Sequence, residues 1–120
     1  MLADAERRYA ARSTPDLGDE VAARQHDGGP LLWTRRLTSR TGERCALQLI
    51  GIADNALYVQ AADGGRNWHR RRLPPFVTAL DVRSGRELWR WEQPGISHRP
   101  AALVGNRLVL ALPELTAIAV

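Results

Sequence analysis

Residues 76–92 read FVTALDVRSGRELWRWE. Val77, Ala79 and Val82 frame an apolar run with Asp81 near its end, and Arg83-Ser84-Gly85 supplies turn residues. Glu87-Leu88-Trp89-Arg90-Trp91 then alternates polar and apolar positions. A two-residue period belongs to a half-buried strand, so the stretch predicts strand, tight turn, strand. Gly85 suits the turn because positive φ costs glycine no Cβ clash. Asp81, at the strand end, is placed to accept backbone amides of the turn.

Working outward, strands are expected at residues 31–37, 44–52, 56–61, 86–91, 101–104, 107–111 and 115–120. Ala53-Asp54-Asn55 makes a turn, and Gly105-Asn106 is a dipeptide of the hairpin-forming kind. Residues 63–75, DGGRNWHRRRLPP, form a loop that Pro74 and Pro75 stiffen on its return. Ahead of residue 31 the pattern differs. Ala3, Ala5, Ala10 and Ala11 favour a short helix over residues 1–12, Pro15 ends it, and Asp16 caps a second helical piece over 21–24. The chain thus divides into a helical or disordered leader, 1–30, and a strand-rich region, 31–120.

The strand-rich region repeats itself. Leu32-Trp33 corresponds to Leu88-Trp89, residues 52–59 to residues 103–110, and residues 78–82 to residues 116–120, with Ala119 in the place of Asp81. The two tryptophans lie 56 residues apart, more than the ~40 to 50 of a propeller blade, and the 63–75 loop accounts for the excess.

Thr78-Ala79-Leu80-Asp81, followed by Ser84-Gly85-Arg86-Glu87-Leu88-Trp89, resembles the repeat of pyrroloquinoline-quinone-type β-propellers. The resemblance implies a mainly β fold of antiparallel, propeller-type blades. It makes Trp33, Asp81, Gly85 and Trp89 the structural signature, with each tryptophan packed between neighbouring blades. Members include quinone-dependent dehydrogenases, non-catalytic scaffold lipoproteins of outer-membrane assembly and sensor domains of bacterial kinases. A propeller closes with about 4 to 8 blades, and this chain carries about two. Each would lack a neighbour on one side, leaving Trp33 and Trp89 partly exposed. The chain is then a piece of a longer protein, a subunit of an oligomeric ring or an open sheet pair, the first being preferred.

Composition narrows the chemistry. At 120 residues there is room for one domain. The 17 basic residues are all arginine, which reads as coding bias, and a net charge of +4 spread along the chain mostly means solubility. Cys45 stands alone, so it forms no intramolecular disulfide and no multi-cysteine metal site; among Ala46, Leu47 and Leu49 it reads as a buried, inert thiol. The start lacks the apolar core of a signal peptide, and no run approaches the ~20 apolar residues of a membrane span. A cytoplasmic location follows by default.

His26, His69 and His98 match no local ligand spacing, and the carboxylates are too dispersed to pair. The dehydrogenases of the resembled family need adjacent cysteines, a calcium-binding acid set and a catalytic aspartate. None is recognisable here, so no catalytic residue, metal ligand or cofactor is expected. The unusual stretch is Arg66-Asn67-Trp68-His69-Arg70-Arg71-Arg72. Arg66, Trp68, Arg70, Arg71 and Arg72 would suit a phosphate backbone with a stacked base, or an acidic protein surface, if they are more than a solvated loop. The expected function is a non-enzymatic, propeller-type scaffold or protein-interaction module, completed by self-association or a partner. The alternatives are nucleic-acid or acidic-partner binding through that loop, or a remnant quinoprotein dehydrogenase subunit.

Overall fold

A computed structural model describes residues 2–14, 18–26, 28–38, 45–63, 76–92, 102–105, 107–111 and 115–119. Among them are eleven strands and no helix. The strands are β1 (Leu2–Ala3), β2 (Arg7–Thr14), β3 (Gly18–Gln25), β4 (Leu31–Arg36), β5 (Cys45–Ala53), β6 (Ala56–Asp63), β7 (Phe76–Asp81), β8 (Glu87–Glu92), β9 (Ala102–Val104), β10 (Arg107–Ala111) and β11 (Leu115–Ala119). They form three antiparallel sheets: sheet I, β1-β2-β3-β4; sheet II, β5-β6-β7-β8; and sheet III, β9-β10-β11.

The expected helices at the N-terminus are strands. Residues 7–14 pair with 18–25, and Ala23 of β3 pairs with Trp33 of β4. Helix propensity loses here to a two-residue period hidden among alanines. Tyr9, Val21 and Ala23 are buried towards sheet II, while the alternate positions Arg8, Arg12, Glu20 and Arg24 lie on the other face. A helix would scatter these residues around its circumference. At the first turn, the Asp4 side chain accepts the backbone N–H groups of Glu6 (2.8 Å) and Arg7 (2.7 Å), which fixes a hairpin in place of a helical turn.

From residue 31 onward the expected strands are present. The repeat is also there, but in three sheets, because residues 2–25 build most of the first. Pairing register makes the equivalence explicit. Tyr9–Ala23–Trp33 runs across sheet I as Tyr58–Ala79–Trp89 runs across sheet II. The register shift between Ala23 and Arg24 recurs between Ala79 and Leu80. In sheet III, Leu108 pairs with Ile118 as Leu57 pairs with Leu80.

Sheets I and II pack face to face. The core between them joins Tyr9, Val21, Ala23, Trp33 and Leu37 to Leu57, Val59, Ala61, Phe76, Leu80 and Val82. The other face of sheet II holds Ala56, Tyr58 and Ala79, against which Leu103 of sheet III packs. Gly51 permits that approach, since a Cβ there would meet Leu103 at 2.9 Å. Sheet II is therefore the middle layer.

Candidate functional site

The turn between β7 and β8 is held by short-range hydrogen bonds. Asp81 Oδ1 accepts the Arg83 N–H at 2.8 Å, Ser84 Oγ accepts the Arg86 N–H at 3.2 Å, and the Asp81 carbonyl accepts the Gly85 N–H at 2.8 Å. Gly85 adopts φ 75°, as a tight turn asks of glycine. The turn in turn forms a seat. The Trp33 indole Nε1 donates to the Val82 carbonyl at 2.9 Å, and Arg35 Nε donates to the Gly85 carbonyl at 2.9 Å. A Cβ on Gly85 would lie 2.4 Å from Trp33 Cε3, so only glycine lets the ring settle there.

Trp33 was expected to be partly exposed but is buried, at 8% of its surface. The reason is the neighbour that sheet II supplies, together with Tyr9 at 6.1 Å between ring centroids. Trp89, in the equivalent place, keeps the same tyrosine contact (Tyr58, 6.0 Å and 47°) but is 37% exposed beside Leu88, at 44%.

Two further contacts tie sheet I to sheet II at their rims, and Arg90, which makes one of them, also stacks within sheet II. Asp19 Oδ2 accepts the Leu47 N–H at 3.0 Å, Arg90 Nη1 donates to the Thr38 carbonyl at 2.7 Å, and the Arg90 guanidinium lies 3.9 Å over the Phe76 ring. The hydroxyl of Thr78, fully buried, donates to the acceptors Glu87 Oε2 (2.7 Å) and the Trp89 carbonyl (2.9 Å).

At the end of the sheets where the hairpin turns meet, a depression of about 240 Å³ is lined by Asp4, Glu6, Arg7, Asn55, Val82 and Arg83, among others. Asp4 is its hub. The Tyr9 hydroxyl donates to Asp4 Oδ2 at 2.7 Å, and His26 Nε2 lies 2.6 Å from the Asp4 carbonyl. Burial acts to raise the Asp4 carboxyl, but the Tyr9 hydroxyl, the two amides and the Arg7 charge together hold it below its ordinary value. Burial, then the bond to the Asp4 carboxylate, pushes Tyr9 up. Burial, then the Asp54 charge, does the same to Tyr58. Asp4, with Tyr9 bonded to it, holds the first turn.

Among the described residues, no group of three or more His, Cys, Asp or Glu is placed to hold a metal ion. Arg66, Trp68, Arg70, Arg71 and Arg72, with His69 and His98, lie outside the described residues. Cys45 begins β5, and its side chain also lies outside the description. Sequence reasoning had no part for Asp4, Tyr9 or Tyr58. The spacing between the tyrosine and its tryptophan differs between the sheets, 24 residues in one and 31 in the other, so only the strand register reveals that the pairs match.

No helix among the described residues is long and apolar enough to cross a membrane. No protein-family model matches the chain, and no curated protein matches it.

Proposed function

We propose that the chain is a non-enzymatic scaffold or protein-interaction module whose sheets are successive propeller-type blades. One observation carries this reading: the tyrosine–alanine–tryptophan row occurs twice, closed by a neighbouring turn at Trp33 and open at Trp89. An indole half out of its packing, beside an exposed leucine, is the anchor type that protein interfaces favour. A second protein surface, from a partner or another copy, covers Trp89 by offering what sheet II offers Trp33: a free carbonyl at the indole N–H and a residue without a Cβ beneath the ring.

Light scattering coupled to size exclusion tests it on the wild type and on Trp89→Arg. The wild type is expected to show a concentration-dependent mass above 13.3 kDa, and Trp89→Arg to run as a monomer with an unchanged β spectrum. A wild-type monomer at every concentration that also binds no hydrophobic dye would remove the reading.

A further inference from the structure

Sheet I has a second face, turned away from sheet II. Strand alternation and pairing register put Arg8, Ala10 and Arg12 of β2 on it, with Glu20, Ala22 and Arg24 of β3 and Thr34 and Arg36 of β4. The equivalent positions of sheet II are Leu57, Val59, Ala61, Phe76, Thr78 and Leu80, and there they form the core against sheet I. In sheet I, arginine thus stands where sheet II has Leu57, Ala61 and Leu80. Repeat units that end a stack carry a polar outer face, and this substitution pattern closes sheet I to another tryptophan-bearing sheet.

The face is more than a solvated cover. Among the described residues it carries Arg8, Arg12, Arg24 and Arg36 and the acid Glu20, which Arg12 and Arg36 (3.6 Å) share. Arginine therefore outnumbers acid among the described residues of this face, and Arg24 and Arg36 are exposed. Between the arginines lies a depression of about 140 Å³ bordered by Arg8, Ala10, Arg12, Ala22, Arg24 and Gln25. Its floor is small and apolar: Ala22 is only 4% exposed although it points outward. Basic rims around an apolar floor suit a ligand that is anionic and carries aliphatic side chains. The described residues of this face include no aromatic ring on which a base would stack, and Glu20 sits among the arginines where a phosphate chain would run.

We infer that the outer face of sheet I docks an acidic polypeptide segment, its carboxylates meeting the arginine rim and an aliphatic side chain resting on Ala10 and Ala22. The site is separate from the Trp89 row and does not depend on the sheets being propeller blades.

Fluorescence anisotropy on the whole chain tests this with three labelled probes of equal length: an alternating Glu-Leu peptide, an oligo-Asp peptide and a single-stranded oligonucleotide. The Glu-Leu peptide is expected to bind tightest, and added salt to weaken it. Arg24→Glu, at an exposed position, is expected to lower its affinity ~10-fold or more, because a like charge replaces a complementary one. Ala10→Leu, which fills the floor, is expected to weaken the Glu-Leu peptide while leaving oligo-Asp unchanged. Arg86→Glu, on the exposed turn of sheet II, serves as the control and is expected to change nothing. Binding that is insensitive to Arg24→Glu, or an oligonucleotide that binds as tightly and with the same sensitivity, overturns the inference.

Discussion

Trp33 and Trp89 sit at matching points of sheets I and II, each against a tyrosine two strands away, yet one is sealed and the other is open to solvent. The pair separates what a sheet does alone from what its neighbour adds. Strand pairing and the tyrosine contact are the same in both. The Val82 carbonyl, the Gly85 gap and the shared core belong to Trp33 only. The two tryptophans thus differ in intersheet packing and not in the sheet around each.

Truncation should expose that difference most strongly. Trp33→Ala is expected to cost about 3–5 kcal/mol, the range for a large buried aromatic, whereas Trp89→Ala should cost about 1–2 kcal/mol, since much of that ring already meets water. Urea unfolding followed by circular dichroism measures both. Equal losses would mean that the seat on sheet II contributes nothing beyond the sheet itself.

A narrower comparison sets Gly85 against Gly105. Both adopt positive φ, 75° and 61°, but a Cβ strikes Trp33 at the first and meets nothing within 4 Å at the second. Gly85→Ala is expected to cost roughly 2–4 kcal/mol and Gly105→Ala about 1 kcal/mol, strain being common to both and the steric clash to one. Combining Gly85→Ala with Trp33→Ala should cost clearly less than the two separate losses together, as neighbours sharing one contact do. Strict additivity would break the link between ring and glycine.

The smallest effects concern the polar ends of the two tyrosines. Asp4 lies below its ordinary value in the folded chain, so its contribution is present above the unfolded value of about 3.9 and is lost as pH falls through the folded one. Tyr9 is raised, so its contribution is present below about pH 10 and fades as pH rises beyond that. Tyr9→Phe should lower mid-range stability by about 1–2 kcal/mol, the worth of a hydrogen bond to a charged acceptor, and flatten both limbs. Tyr58→Phe should alter the alkaline limb alone. Thermal melts across pH decide this, and a Tyr9→Phe profile parallel to wild type would contradict it.

The described strands from residue 31 onward were legible in sequence because they show alternation, β-branched residues and glycine turns. The internal repeat from Trp33 onward could be matched position by position. The N-terminal strands were not legible. Ala3, Ala5, Ala10 and Ala11 carry a helical preference that is weak and yields to pairing, and the outward arginines erase the apolar signal that would have marked a third repeat. Leu57 and Arg8 occupy one structural position with opposite chemistry. The candidate surfaces were half legible: Trp89 was singled out, while the arginine face exists only once β2, β3 and β4 lie side by side. The basic stretch at residues 66–72 is visible in sequence and lies outside the described residues.

The arginines of sheet I also set a limit on polymer growth. A surface that recurs on both ends of a molecule adds subunits head to tail, and unless the rotation closes a ring the product is a filament. Here the two faces differ. One presents an indole and a leucine, and the other presents Arg8 and Arg24 where a receiving face would need Leu57 and Leu80. Head-to-tail addition through these two faces would set an indole against arginine. On the proposed self-association through Trp89, light scattering is therefore expected to show no ladder of species built by joining these two faces.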